Sequence, residues 1–157
     1  MKAPKPRPGT VNGGTNVLGI GDYYNYGVSY FQITNQSGSL YAEALRQIIR
    51  LLREERVVYF HCMVGADRTG TLAFLIEAML GVSESDLSKD FELTSFFEQE
   101  RRTRNGSVNS QFAFRNLISS IRSNYPGETI QDRAVSWAIS NGFQDSEIEE
   151  LRQLLLE

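Results

Sequence analysis

Residues 61–70 bring together the side chains best suited to chemistry: His61, Cys62, Met63, Val64, Gly65, Ala66, Asp67, Arg68, Thr69 and Gly70. A thiol at its reference pKa of about 8.5 is mostly protonated at neutral pH, and the nucleophile is the thiolate. Three features of this stretch favour the charged form of Cys62. The amides of residues 63–68 can donate hydrogen bonds to sulfur. The helix expected after the loop presents the positive end of its dipole, and Arg68 adds a fixed positive charge. The same groups suit a phosphate monoester. A ring of N–H donors from Met63, Val64, Gly65, Ala66, Asp67 and Arg68 can hold the dianion, and the Arg68 guanidinium can grip two oxygens at once. Gly65 permits a sharp turn with its amide facing inward. Thr69 can donate its hydroxyl to the sulfur and help the thiolate leave. His61 supports the loop through its ring nitrogens, from the end of a buried strand. The reaction expected of such a site is attack of sulfur on phosphorus, protonation of the leaving oxygen by a general acid, and hydrolysis of the phosphocysteine by water.

These residues need a frame that leads a cysteine into a loop and a helix out of it. Residues 57–60 (Val57, Val58, Tyr59, Phe60) have the β-branched and aromatic content of a buried strand. Residues 72–80 have the length and composition of a buried helix. Ahead of them, Leu45, Ile48, Ile49 and Leu52 fall at helical spacing in a helix expected over 40–54, capped by Ser39, with Arg46, Arg50 and Arg53 on a solvated face. A further strand is expected over 28–33, then a turn over 34–38. The predicted fold is therefore α/β, a central sheet flanked by helices, with a mostly helical C-terminal half.

That half is read as four helices. Gly81 ends the helix after the loop, and Ser83 with Asp86 starts one from Glu84 to about Arg101. A helix over 111–123 stops at Tyr125 and Pro126. Thr129 caps the next, to about Ser140, and Asn141 with Gly142 closes it. Ser146 with Glu149 has the capping-box spacing for a last helix over 147–155. Residues 1–16 hold three prolines and three glycines and read as a flexible tail, leaving 17–157 as one domain.

The chain has 157 residues, 41% of them apolar, and a net charge of −3, with a pI near 5.3. An acidic chain argues against a general nucleic-acid binder and leaves room for a locally positive anion site. One cysteine excludes an internal disulfide and favours the cytoplasm. No apolar run reaches membrane-spanning length. No cluster of histidine, cysteine and carboxylates has metal-ligand spacing, so neither metal nor other cofactor is expected.

The loop, with Cys62, Gly65, Asp67, Arg68, Thr69 and Gly70 in this order, resembles the signature of the cysteine-based protein tyrosine phosphatase superfamily. Its Asp-Arg-Thr-Gly ending looks most like the bacterial tyrosine and dual-specificity members. The resemblance covers roughly residues 28–157, though only the loop is specific by itself. It implies hydrolysis of phosphotyrosine, in some members also of phosphoserine and phosphothreonine or phosphoinositides. A phosphorylated protein or peptide is then the expected partner, with inositol phosphates as an alternative substrate and a phosphate-binding module without turnover as another reading.

Three departures from the family pattern stand out. Many members carry lysine where this chain has Ala66, which weakens the case for multiply phosphorylated inositides. The Asp-Leu-Arg-like segment and upstream strands are not found, which reads as a shortened or processed form. The general acid has two candidates by resemblance. Asp67 lies within the loop beside Arg68. Asp22 lies on a glycine-flanked segment upstream, where the acid of other members would sit. Arg101, Arg102 and Arg104 extend the anionic surface or simply form a solvated helix end.

Overall fold

The computed structural model describes residues 24–93 and 113–156. The tail over 1–16, Asp22, and Arg101, Arg102 and Arg104 lie outside the described residues.

Six helices make up the described architecture: α1 (Asn35–Arg53), α2 (Asp67–Met79), α3 (Glu84–Leu93), α4 (Phe114–Asn124), α5 (Ile130–Ser140) and α6 (Asp145–Leu156). No strand occurs among the described residues, so the expected α/β fold with a central sheet is not what forms. Residues 57–61 take no regular secondary structure. Their side chains alternate, with Val58 and Phe60 packed against the core while Val57 and Tyr59 are 99% and 84% exposed. A strand exists only where a neighbour pairs with its amides and carbonyls. Among the described residues no second segment pairs with this one. The other expected strand fails for a local reason. Val28 donates to the Tyr26 carbonyl two residues back, at 2.8 Å. Three residues on, Phe31 takes φ +57° in a turn with Tyr30. Both features fold the segment on itself.

α2 is the hub. Thr71, Leu72, Phe74, Leu75, Ile76, Ala78 and Met79 are all buried, and the helix packs against α1, α3 and α5. A helix apolar on most of its surface belongs in the middle of a bundle. It ends as its glycine foretells. Gly81, at φ +86°, donates to Ala78 O while Val82 donates to Glu77 O, the paired bonds of a Schellman stop. Gly142 and Phe143 close α5 in the same way, on Ile139 O and Ala138 O. Thr129 and Asp132 form a reciprocal capping box at the start of α5.

α1 begins at Asn35, five residues earlier than the spacing of its apolar positions suggests. The expected turn over 34–38 is its first turn, and Ser39 does not cap it but bonds back to the Asn35 carbonyl at 3.3 Å. Gly38 is there for close approach: a Cβ would sit 2.5 Å from Ile33 O. The arginines of α1 do more than face solvent. Arg46 donates to Asn141 O at 2.8 Å and lies over the Phe143 ring, 4.2 Å from its centre. Arg53 pairs with Glu150 of α6. α6 starts at Asp145, two residues before the expected position, and there Gln144 N–H donates to Glu147 at 2.9 Å.

Glu77 of α2 is half-buried, and burial, reinforced by the negative charge of Asp90, pushes its carboxyl up to about 7. The folded protein therefore holds this proton more tightly than the unfolded chain. Its contribution to stability is full below about pH 4.5 and is lost as pH rises through about 7. With solvent screening taken into account, the loss is about 1–2 kcal/mol. Urea unfolding of the wild type at pH 5 and pH 8 is expected to show that fall, and Glu77→Gln is expected to flatten it.

Candidate active site

The segment 57–61 delivers Cys62 to a loop of bends over 63–66, and α2 opens at Asp67. Cys62 is half-buried. The Gly65 N–H points at its sulfur, with nitrogen 3.2 Å from Sγ. Gly65 achieves this at φ +82°, a left-handed conformation that costs a residue with a Cβ about 1–2 kcal/mol. A Cβ there would meet nothing within 4 Å, so the backbone angle, not crowding, calls for glycine.

No side chain caps the N-terminus of α2, where Ala66 occupies the cap position. The side-chain acceptor that caps α5 has no counterpart here among the described residues, and the positive end of a helix favours an anion. Ala66 itself is only 3% exposed, so the chain places a methyl group inward at this position. Met63 lies at the other extreme, 84% exposed. The Arg68 guanidinium makes no ion pair or hydrogen bond among the described residues. Asp67 opens the helix directly beside it, its carbonyl accepting from Thr71 Oγ1 at 2.7 Å. His61 is exposed rather than buried at a strand end. Its ring stacks on Tyr59 with centres 5.4 Å apart, and Nδ1 lies 3.0 Å from the Cys62 carbonyl. In the tautomer protonated at Nδ1 it donates to that carbonyl and braces the residue bearing the thiol.

Val64, Gly65 and Thr69 thus converge on Cys62 just ahead of and within the first turn of α2. Residues 22–157 match the model of the tyrosine phosphatase family. The chain belongs to the tyrosine phosphatase family. It is also similar to a protein of Cupriavidus necator, by its provisional name a tyrosine-protein phosphatase, with 25% identity over 111 residues. That alignment takes in 68% of this chain and 41% of the relative, so the chain matches less than half of that protein's length. No solved structure matches the chain.

In this tyrosine phosphatase family chain the electrostatics of the thiol are set by contact. Burial pushes the Cys62 thiol up. The Thr69 hydroxyl and the backbone amides of Thr69, Val64 and Gly65 outweigh it and bring the thiol down to about 7. Among the described residues the Thr69 hydroxyl is buried with no partner in good hydrogen-bond geometry, so the Gly65 amide is the best-defined donor to the sulfur. Arg68, whose charge the sequence offers as a cause, is not among the leading ones. Alkylation of Cys62 by iodoacetamide is expected to reach half its maximal rate near pH 7, well below the ordinary thiol range. A midpoint above about 8.5, the reference value, contradicts that geometry.

Two residues that the loop motif does not single out complete the site's support. Tyr41 of α1 occupies an apolar helical position and looks like core in the sequence. It is buried, and its hydroxyl lies 3.5 Å from the Arg68 carbonyl. Thr71 left a signal, a hydroxyl at the head of an otherwise apolar run. Asp22, the alternative acid, lies outside the described residues, so of the two candidates only Asp67 has a described position.

Proposed function

We propose that this chain is a phosphomonoester hydrolase acting on phosphotyrosine, and on phosphoserine or phosphothreonine to a lesser degree, in proteins through a phosphocysteine intermediate. The observation that carries this reading is a thiol lowered to about 7, at an uncapped helix N-terminus, beside an arginine whose charge is unspent among the described residues. A tetrahedral dianion satisfies all three.

In the first step the Cys62 thiolate attacks phosphorus, an S–P bond forms, and the P–O bond to the leaving group breaks. The leaving oxygen takes a proton from Asp67, whose place beside Arg68 favours it over Asp22. In the second step water attacks the phosphocysteine and gives its proton to the Asp67 carboxylate. Inorganic phosphate departs, and sulfur regains its electron pair as thiolate. The Val64 and Gly65 amides and Thr69 stabilise that thiolate. Arg68 holds two equatorial oxygens through the transition state. His61 fixes the Cys62 carbonyl, and Met63, Val64, Gly65, Ala66, Asp67 and Arg68 supply the loop amides around the phosphate.

Ala66 favours phosphotyrosine over inositol polyphosphates, because a buried methyl group offers no charge to additional phosphates. The exposed ring of Tyr59, stacked on His61 just ahead of the loop, adds aromatic surface for an aryl ester. The test is a panel of phosphotyrosine peptide, phosphoserine peptide and inositol hexakisphosphate. Highest kcat/KM on phosphotyrosine supports the reading. Preference for the inositol phosphate overturns the substrate class, and binding without turnover would mark a phosphate-binding module instead. Asp67→Asn is expected to slow substrates with poor leaving groups far more than an activated aryl phosphate, and equal slowing would remove Asp67 as the acid.

A further inference from the structure

Two fully buried hydroxyls lie against the backbone of the first turn of α2. Tyr41, 1% exposed, donates to the Ser29 carbonyl at 3.0 Å, and its oxygen lies 3.5 Å from the Arg68 carbonyl. A phenol has one proton, so Ser29 takes the bond and the Arg68 carbonyl sits at the outer limit of contact. Thr71, with no exposed surface, donates to Asp67 O at 2.7 Å and accepts from Phe31 N–H at 3.1 Å. Phe31 is therefore tied to the first turn of α2 through Thr71, while Tyr41 holds Ser29 in contact with that turn, with Tyr30 between them.

The turn so held is a strained one. Phe31 sits at φ +57°, which for a residue with a Cβ costs about 1–2 kcal/mol. Its ring packs on Phe91, with centres 5.8 Å apart. Packing alone would be served by phenylalanine at 41 and valine at 71, without two hydroxyls to satisfy in the core. The Thr71 hydroxyl instead links backbone to backbone, and the Tyr41 hydroxyl fixes Ser29 beside the Arg68 carbonyl. Burial is the main influence on the Tyr41 phenol and raises its pKa; it also feels the charges of Arg68, Cys62 and Asp67, which places it within electrostatic reach of the site.

We propose that Tyr41 and Thr71 are positioning residues, a buried clamp that fastens the Asp67–Arg68 turn to the 29–31 turn and so sets where Arg68 and the α2 amides stand relative to the Cys62 sulfur. The proposal rests on the hydrolase reading for its effect on turnover, but not for its effect on the thiol. Loosening the clamp lets the first turn of α2 drift from the sulfur, and a misplacement of about 1 Å can cost about a hundredfold in rate.

Cys62 alkylation by iodoacetamide across pH, turnover of an aryl phosphate and urea unfolding are compared in wild type, Tyr41→Phe, Thr71→Val and Thr71→Ser. Tyr41→Phe and Thr71→Val are expected to move the alkylation midpoint upward and to lower kcat/KM by about ten- to a hundredfold. Thr71→Ser, which keeps the hydroxyl, is expected to retain wild-type values in both. If Tyr41→Phe and Thr71→Val fold and keep the wild-type midpoint and kcat/KM, losing only stability, the clamp is core packing and the proposal fails. Should Thr71→Val not fold, Tyr41→Phe decides, since it removes a single oxygen. A wild type whose thiol titrates near 7 without turnover would defeat the hydrolase reading and leave the clamp to be decided by the alkylation profiles alone.

Discussion

Cys62→Ser is expected to lower hydrolysis of an aryl phosphate by at least about 10⁴-fold, while the protein keeps its fold. The substitution exchanges sulfur for oxygen in a half-buried position, so packing barely changes. The donors remain, too: Gly65 N–H still points at the side-chain atom, and α2 still presents its uncapped amides. What is lost is the ionised nucleophile. The loop lowers a thiol to about 7, a displacement that leaves a hydroxyl protonated at any pH the protein survives. Phosphate affinity is expected to persist, because the proposed anion site uses backbone amides and Arg68 rather than the sulfur. Binding of a phosphotyrosine peptide to Cys62→Ser, followed by calorimetry, checks that separation between holding and cleaving. Loss of both together would mean that the substitution had collapsed the loop.

Arg68→Lys is expected to lower kcat/KM by about 10²–10³-fold, despite conserving charge. A guanidinium presents two parallel N–H bonds to two phosphate oxygens, whereas an ammonium is a point charge that rotates freely. Among the described residues no carboxylate pairs with Arg68, and the proposed site uses its fork on the phosphate. The same substitution is expected to leave the pH midpoint of Cys62 alkylation nearly unchanged, because the leading influences on the thiol are burial, Thr69, Val64 and Gly65. The two readouts therefore separate substrate contact from thiol activation. An Arg68→Lys enzyme that keeps kcat/KM within about threefold of wild type, well short of the loss expected for a bidentate fork, would show that Arg68 contributes charge alone. A large upward movement of the alkylation midpoint would show that its charge is what ionises Cys62.

The helices were legible because their signals are local. Leu45, Ile48 and Ile49 recur at helical spacing and are buried in α1. Gly81 and Gly142 stop helices by adopting positive φ, and Thr129 caps α5 through Asp132. The sheet was not legible, because alternation along 57–61 reports only that one face of the segment packs inward. Pairing is a property of a second segment, and a single run of Val57, Val58, Tyr59 and Phe60 reads the same with or without one. The start of α1 was misplaced because Asn35, Ser37 and Gly38 have turn composition, while Gly38 answers to the Ile33 carbonyl 2.5 Å from its missing Cβ. At the site, Cys62 and Gly65 could be paired from the motif, since a loop before a helix forces the amide toward the sulfur. The part played by Tyr41 could not. Its partners, Ser29 and Arg68, lie 12 and 27 residues away in sequence, and a buried tyrosine in an amphipathic helix announces nothing beyond packing.

On this account the sulfur of Cys62 carries the phosphoryl group during turnover. Rapid acid quenching of the wild-type protein with a phosphotyrosine peptide, followed by mass analysis of the peptide containing residue 62, tests it directly. One added phosphoryl group on Cys62, appearing before free phosphate and absent from Cys62→Ser, is the predicted result. Phosphate released at full rate with no label on Cys62, or a label on any other residue, would contradict it.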